Sequence, residues 1–197
     1  MSQFPEIFVL RHGETIWNRE GRHQGRMNSD LTALGHSQAR DQADLLKAAL
    51  TGRSDVVART SPQGRAMQTA RVALAKVALD PLVDDRLCEI SFGQWEGLTF
   101  DDIAARWPER VSDLDHAPLA WNFQSPGGEN FDVMRARVLD VLQSLTGPTV
   151  LITHGITSRF LRALWLGGEW DLMKDLPGGQ GCVYHLVDGQ HHALRVD

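Results

Sequence analysis

The chain has 197 residues, a formal net charge of −5, 42% hydrophobic residues and 23% charged residues. That length leads us to expect one domain, 1–197, with a core that needs no disulfide or metal staple. The acidic balance speaks against a general nucleic-acid binder, and the two distant cysteines, Cys88 and Cys182, against a disulfide scaffold or a cysteine-rich zinc site. No apolar run approaches the roughly 20 residues of a membrane span, and the first residues lack the basic and apolar segments of a signal peptide. A reducing cytoplasm is the expected compartment.

In chain order, Ile7-Phe8-Val9-Leu10 is a continuous apolar run of strand formers, the pattern of a strand buried on both faces. It stops at Arg11-His12-Gly13, after which Glu14 to Asn18 can open a helical turn. Ala39, Ala43, Leu46 and Leu50 recur at three- and four-residue spacing and predict an amphipathic helix from about Thr32, its N-cap, to Leu50. Asp55 to Ala58 reads as a second strand. A helix over about Gln63 to Ala78 follows, with Ala66, Ala70, Ala73, Leu74 and Val77 on one stripe. Another helix is expected over about Glu129 to Leu145, then a strand over Thr149 to Thr153, His154-Gly155, and a helix through Leu166. Asp188-Gly189 between Val183–Val187 and Ala193–Val196 predicts a hairpin.

Strands alternating with helices imply an α/β fold, a three-layer α/β/α sandwich with a mostly parallel central sheet. Ligands in such folds bind beyond the C-terminal ends of the strands, where both His12 and His154 fall. The stretch from about 89 to 128 breaks the alternation. It carries Phe92, Trp95, Phe100, Trp107, Trp121 and Phe123, with Phe131 just beyond, together with Pro108, Pro118 and Pro126. Two readings stand for it: an irregular insertion that packs its own small core, and a lid or wall over the strand-end site.

The chemistry gathers at the strand ends. Arg11 supplies a planar, permanently charged fork suited to phosphate oxygens. Gly13 lets the backbone turn closely beneath an anion, the next helical turn offers N–H donors, and Asn18 adds a neutral one. Arg65 follows the Ser61-Pro62 turn that closes the second strand. His154-Gly155 repeats the order strand, histidine, glycine, helix, so two such junctions converge on one sheet edge. Between positions 11 and 26, Arg11, Arg19, Arg22 and Arg26 outnumber Glu14 and Glu20, a positive focus on an acidic chain. His185, His191 and His192 sit on the hairpin without a carboxylate or cysteine set, so no metal site is expected. No G-x-x-x-x-G-K-[ST] loop is present either.

These residues carry a resemblance. Arg11-His12-Gly13-Glu14-Thr15 with Asn18 resembles the signature of the histidine phosphatase superfamily, also called phosphoglycerate mutase-like. Supporting blocks follow in family order: Gly21 to Gly25, Leu31 to Gly35 with Gln38-Ala39, and Ser61-Pro62 with Arg65-Ala66 and Gln68-Thr69-Ala70. Further on come Leu87 with Glu89, Phe92-Gly93, Trp95-Glu96-Gly97, Pro126 to Glu129 and Thr153-His154-Gly155. The resemblance implies that His12 is a nucleophile passing through a phosphohistidine, and that Arg11, Arg65 and a protonated His154 clamp the phosphoryl oxygens. It makes Glu89 the proton donor, with Glu96 the weaker alternative, and lines the pocket with Asn18, Gln24, Gly25 and Gly155. It implies no cofactor and no metal.

The implied function is a phosphomonoesterase acting on a small phosphorylated metabolite. Alternatives are a cofactor-dependent phosphoglycerate mutase, whose relatives usually carry extra segments, and a non-catalytic module that binds a phospho-ligand. The aromatic insertion suggests a wall for a ring-bearing leaving group. Three positions depart from the family pattern: Asp30 stands where proline is usual, Asn28 where aspartate is frequent, and Gly64 where a larger residue precedes Arg65.

Overall fold

In the computed structural model, which describes residues 3–111 and 118–196, the first apolar run is strand β1 (Ile7–Arg11), paired in parallel with β4 (Thr149–Thr153). β2 (Val57–Thr60) and the two-residue β3 (Leu82–Val83) continue the parallel part beyond β4. β5 (Val183–Val187) and β6 (Gln190–Leu194) add an antiparallel hairpin beside β1. The six-stranded order is β3-β2-β4-β1-β5-β6.

The longer helices are α2 (Ala33–Ala49), α3 (Gly64–Ala73), α6 (Phe131–Gln143) and α7 (Gly155–Trp165). Shorter ones are α1 (Ile16–Arg19), α4 (Phe100–Arg106), α5 (Pro118–Trp121) and α8 (Trp170–Asp175).

Successive side chains of a strand point to opposite faces, and this sheet has a core on each. Ile7 and Val9 of β1 and Leu151 of β4 join Met134, Val138 and Phe160 of α6 and α7 in one cluster. Phe8 and Leu10, with Val150 and Ile152, join Leu46 of α2 and Ala66 and Ala70 of α3 in the other. Burial on both faces is why β1 and β4 read as unbroken apolar runs. The alanines of α3 are small because that helix lies against α2 as well as the sheet.

Element boundaries depart from the sequence expectation for identifiable reasons. β2 runs two residues later than Asp55 to Ala58, because pairing with β4 begins at Val57 opposite Thr149 and continues through Arg59 and Thr60. Arg59 is polar yet belongs there: its guanidinium donates to Asp84 and Ser144. α3 stops at Ala73, short of Ala78, which adopts a left-handed φ of 51° that no continuing helix allows. At the hairpin tip Asp188 and Gly189 take φ values of 51° and 77°, the turn that the Asp-Gly pair favours. In the insertion, α4 and α5 are too short for a periodic signal, and its residues 112–117 lie outside the described residues.

One backbone approach fixes the site end of the fold. Gly13, in the turn after β1, packs directly on Gly35 in the first turn of α2. A Cβ on Gly13 would run into the Gly35 carbonyl, and one on Gly35 into the carbonyl oxygen of Glu14. Thr32 caps α2 through its Oγ1, which accepts the Gly35 N–H at 3.0 Å, so the helix end cannot slide away. Backbone atoms cannot rotate aside as a side-chain tip can. Gly35→Ala is therefore expected to lower stability in urea titration by about 1–3 kcal/mol, the usual cost of overpacking. Helix propensity alone would raise it by about 1 kcal/mol, so a stabilised variant contradicts the contact.

Candidate active site

β1, β4 and β2 are adjacent and parallel, so the chain leaves all three at the same edge of the sheet. His12 donates its backbone N–H to Thr153 O at 3.0 Å, and Ser61 donates its own to Ile152 O at 3.0 Å. These bonds carry the register one residue past the strands and bring His12, His154 and Ser61 together. The rings of His12 and His154 stand 5.1 Å apart between centroids, tilted by 59°.

His12 Nδ1 lies 2.8 Å from the carbonyl oxygen of Gly13. A carbonyl only accepts, so Nδ1 carries the proton and the Nε2 lone pair is left free of one. Arg65 Nε–H points at that lone pair from 3.2 Å. Burial first, then the charges of Arg65 and Arg11, push the His12 pKa well below its ordinary 6.5. The ring is neutral with its Nε2 side toward the guanidinium. Arg65 is itself buried, which holds its pKa down to about 10, and its remaining donors go to Met27 O at 2.6 Å and Gly25 O at 2.9 Å.

Arg11 contrasts with Arg65, because its buried Nε has no hydrogen-bond partner. Its guanidinium lies over Gly155, where a Cβ would touch Arg11 Cζ at 3.4 Å and Glu89 Oε2 at 3.6 Å. The glycine thus lets the charge of Arg11 and the carboxylate of Glu89 draw near the start of α7. Among the donors of α7, Ile156 N–H reaches Glu89 Oε2 and Thr157 N–H reaches Oε1, both at 3.1 Å, and Thr157 Oγ1 donates to Oε1 at 3.0 Å. His154 at the N-cap position makes no side-chain cap bond, so Glu89 takes over the cap from a distant loop.

Arg11, His12, Arg65 and Glu89 all line one cavity of about 320 Å³, as do Asn18, Gln24, Gly25 and Gly155. His154 does not line it; it is fully buried behind His12, with Nε2 2.8 Å from Ser61 Oγ and Nδ1 unpartnered. Burial, and then Arg65, His12 and Arg11, push its pKa well below 6.5, so the ring is neutral here and not the protonated clamp expected from sequence. Glu96 is excluded as the acid by its surroundings. Its Oε1 accepts the N–H of Arg26 at 2.9 Å and of Phe92 at 3.1 Å, bracing the Gly25 turn, and it does not line the cavity.

Of the insertion aromatics only Phe92 lines the cavity. Trp95 and Trp121 are buried and stack at 4.4 Å, with the His23 ring against Phe92 and Trp121. The insertion rings lie in or against the same cluster as Ile7, Val9 and Met134 and form no small core of their own, and the insertion contributes Leu119 and Asn122 to the cavity wall. Two departures from the family pattern prove to be linked. Asn28 Oδ1 accepts the Arg65 N–H at 2.9 Å and caps α3, while its Nδ2 sits 2.6 Å from where a Gly64 Cβ would be. Asp30 accepts Gln68 Nε2 at 2.9 Å.

Sequence reasoning missed Arg159. It lines the cavity one turn beyond Ile156 on α7, and that three-residue spacing from a residue beside His154-Gly155 was the available signal. As for metals, no group of three or more His, Cys, Asp or Glu is gathered among the described residues. His185 is engaged with Glu6, and His191 with Arg162.

Comparisons with known proteins agree with this geometry. A bifunctional protein of Mycobacterium tuberculosis is 38% identical over 188 residues, covering 91% of this chain and 46% of that protein. The chain thus spans about half the length of the mycobacterial relatives it matches. A metal-independent phosphoserine phosphatase of Arabidopsis thaliana is 33% identical, with 84% of this chain and 69% of the relative covered. The crystal structure of phosphoglycerate mutase from Thermus thermophilus superposes with a TM-score of 0.72 at 35% identity, covering 98% of this chain and 99% of that one. The family model described as histidine phosphatase superfamily (branch 1) matches residues 7–196, and the chain belongs to that family.

Proposed function

We propose that this chain is a phosphomonoesterase that hydrolyses a small phosphorylated metabolite through a phosphohistidine on His12. The observation that carries the reading is the His12 tautomer: a neutral ring with Nδ1–H held by Gly13 O and an unprotonated Nε2 beside Arg65. Membership of a phosphatase family and the named phosphatase relative support the hydrolase class. We treat residues 1–197 as one functional unit. A cytoplasmic setting is supported by the two free, buried thiols, Cys88 and Cys182. Among the described residues no helix is long and apolar enough to cross a membrane.

In the first step Nε2 attacks phosphorus, an N–P bond forms, and the bond from phosphorus to the ester oxygen breaks. Arg65 shifts its donor from the lone pair to a phosphoryl oxygen, and Arg11 offers its unpartnered Nε to another. Fixed donors aimed where charge develops are the main contribution a protein makes to phosphoryl transfer. Glu89, in its protonated form, gives its proton to the departing alkoxide. In the second step the Glu89 carboxylate takes a proton from water, whose oxygen attacks phosphorus, and inorganic phosphate leaves with Nε2 restored. His154, neutral and behind the nucleophile, stays engaged with Ser61 Oγ through Nε2 and takes no part in either transfer.

The likeness to the Thermus mutase favours one second reading, transfer of the phosphoryl group to another hydroxyl in place of water. Release of inorganic phosphate without added bisphosphoglycerate separates the two.

Two experiments test the proposal. Rapid alkaline quench during turnover is expected to trap a phosphoryl adduct on the peptide carrying His12; the adduct and turnover both disappear in His12→Ala, and full turnover in that variant overturns the reading. Glu89→Gln is expected to slow alkyl phosphates by about 100-fold or more, the ordinary worth of general acid catalysis. It should slow the first-step release of 4-nitrophenol, read as a pre-steady-state burst, far less, since that leaving group needs no proton, whereas the water step that Glu89 also serves is common to both esters. Equal loss in that first step on both esters contradicts the role of Glu89 as the acid.

A further inference from the structure

The segment from Pro177 to Cys182, between α8 and β5, runs past the end of β1 and has no part in the chemistry proposed above. Both of its ends are tied to the body of the fold. Arg162 Nη2 donates to Pro177 O at 2.8 Å, and Gln42 Nε2 donates to Cys182 O at 3.1 Å as well as to Arg11 O at 2.9 Å. Gly181 adopts a φ of 75°, and a Cβ there would stand 3.2 Å from Gln38 Cγ, so the strap lies close against α2. Held in this way, it directs Gln180 between α1 and the turn that follows β1.

The contacts of Gln180 allow one polarity only. Its amide lies 3.1 Å from His12 O and 3.2 Å from Asn18 Oδ1. A main-chain carbonyl accepts and cannot donate, so the atom facing it is Nε2, whose two hydrogens serve the two oxygens. The Asn18 amide is oriented independently, because the Thr15 N–H donates to it at 3.2 Å and requires an oxygen there. Asn18 Oδ1 thus receives two donors, and Nδ2 is the end of the amide left for the cavity that Asn18 lines. On the other side, Gln180 and Thr69 hold the two ends of one peptide group: Gln180 binds His12 O, and Thr69 Oγ1 accepts the Gly13 N–H at 3.1 Å. The next carbonyl along, Gly13 O, is the one that receives the His12 Nδ1 proton. A single side chain therefore ties the main chain of the nucleophile to a donor on the cavity wall.

We propose that Gln180 is a positioning residue for phosphoryl transfer: its Nε2 clasps the His12 main chain to the Asn18 side chain, so that Asn18 turns Nδ2–H, and not Oδ1, toward a phosphoryl oxygen bound against His12. This rests on the hydrolase reading above and adds to it a group that touches neither ester nor water. The clasp matters because a reversed amide would set a carbonyl oxygen against the anion, and because fixed donors cost no reorganisation as charge develops.

Gln180→Met keeps the length and shape of the side chain and removes both donors. On glycerol phosphate and 4-nitrophenyl phosphate it is expected to lower kcat by about tenfold, the scale of one or two neutral hydrogen bonds, with KM changed by less than about threefold. Affinity for orthovanadate, a mimic of pentacoordinate phosphorus, should fall by about tenfold as well. In an Asn18→Ala background the same exchange should cost less than about threefold, because the clasp has then lost its second partner. Wild-type kcat and orthovanadate affinity in Gln180→Met, or an equal loss with and without the Asn18 side chain, overturns the inference. The wild-type protein supplies a reading that needs no variant: in side-chain amide NMR, orthovanadate should shift the Asn18 Nδ2 protons far more than the Gln180 Nε2 protons. Asn18 protons that do not respond overturn the inference too. A wild-type protein that releases phosphate from neither ester overturns the hydrolase reading instead; orthovanadate affinity across the same variants then decides the role of Gln180.

Discussion

Burial and the neighbouring guanidiniums of Arg65 and Arg11 deny His12 a second proton, and the hydrogen bond from Nδ1 to the Gly13 carbonyl decides which nitrogen keeps its lone pair. A second positive charge about 4 Å from a guanidinium costs about 4 kcal/mol at an effective dielectric near 20. In the proposed mechanism the arginines that bind a phosphate dianion are therefore the same groups that keep the attacking ring neutral. Nucleophile and anion clamp would then be one electrostatic arrangement, set in a chain whose net charge is −5. The field is local, made by where the arginines fall and not by overall composition.

That arrangement tolerates little displacement, because positioning errors of about 1 Å can cost two orders of magnitude in rate. The fold fixes the main chain around His12 from several sides. Gln42 Nε2 donates to Arg11 O at 2.9 Å, Gln180 Nε2 to His12 O at 3.1 Å, and Gly13 N–H to Thr69 Oγ1 at 3.1 Å. These braces come from α2, from the segment before β5, and from α3, so both halves of the chain hold the same three residues. Glu89 is fixed in a similar way. Gln63 Oε1 accepts its N–H at 2.8 Å, and Arg137 joins the loop to Glu129 through the carbonyls of Arg86 and Cys88. The role of Glu129 in the family motif is thus structural: it anchors the loop that carries the carboxylate.

Much of this was legible in the sequence because it rests on local signals. The unbroken apolar runs of β1 and β4, the Thr32 cap and the Asp-Gly hairpin each reflect short-range physics, and each appears where expected. The convergence of His12 and His154 followed from two strand ends on parallel neighbours. What the sequence hid depends on contacts between distant segments. The register that moves β2 two residues is set by β4, the protonation of His154 by burial and by arginines from elsewhere, and the linked roles of Asn28 and Gly64 by a packing contact across 36 positions. Aromatic richness around 89–128 suggested a wall against substrate, yet composition alone cannot say which rings face inward. Arg159 carries no motif of its own, and its place on the cavity wall follows from how α7 packs.

The central claim is that His12 is a neutral imidazole protonated on Nδ1. Nitrogen-detected NMR of histidine-labelled protein, followed while the pH is lowered through 6.5, tests it most directly. With the folded pKa depressed below the ordinary value, the ring should keep an unprotonated Nε2 and a protonated Nδ1 on both sides of pH 6.5 while exposed histidines gain their second proton. A His12 signal that becomes imidazolium at or above pH 6.5, or that carries its single proton on Nε2, would contradict the account.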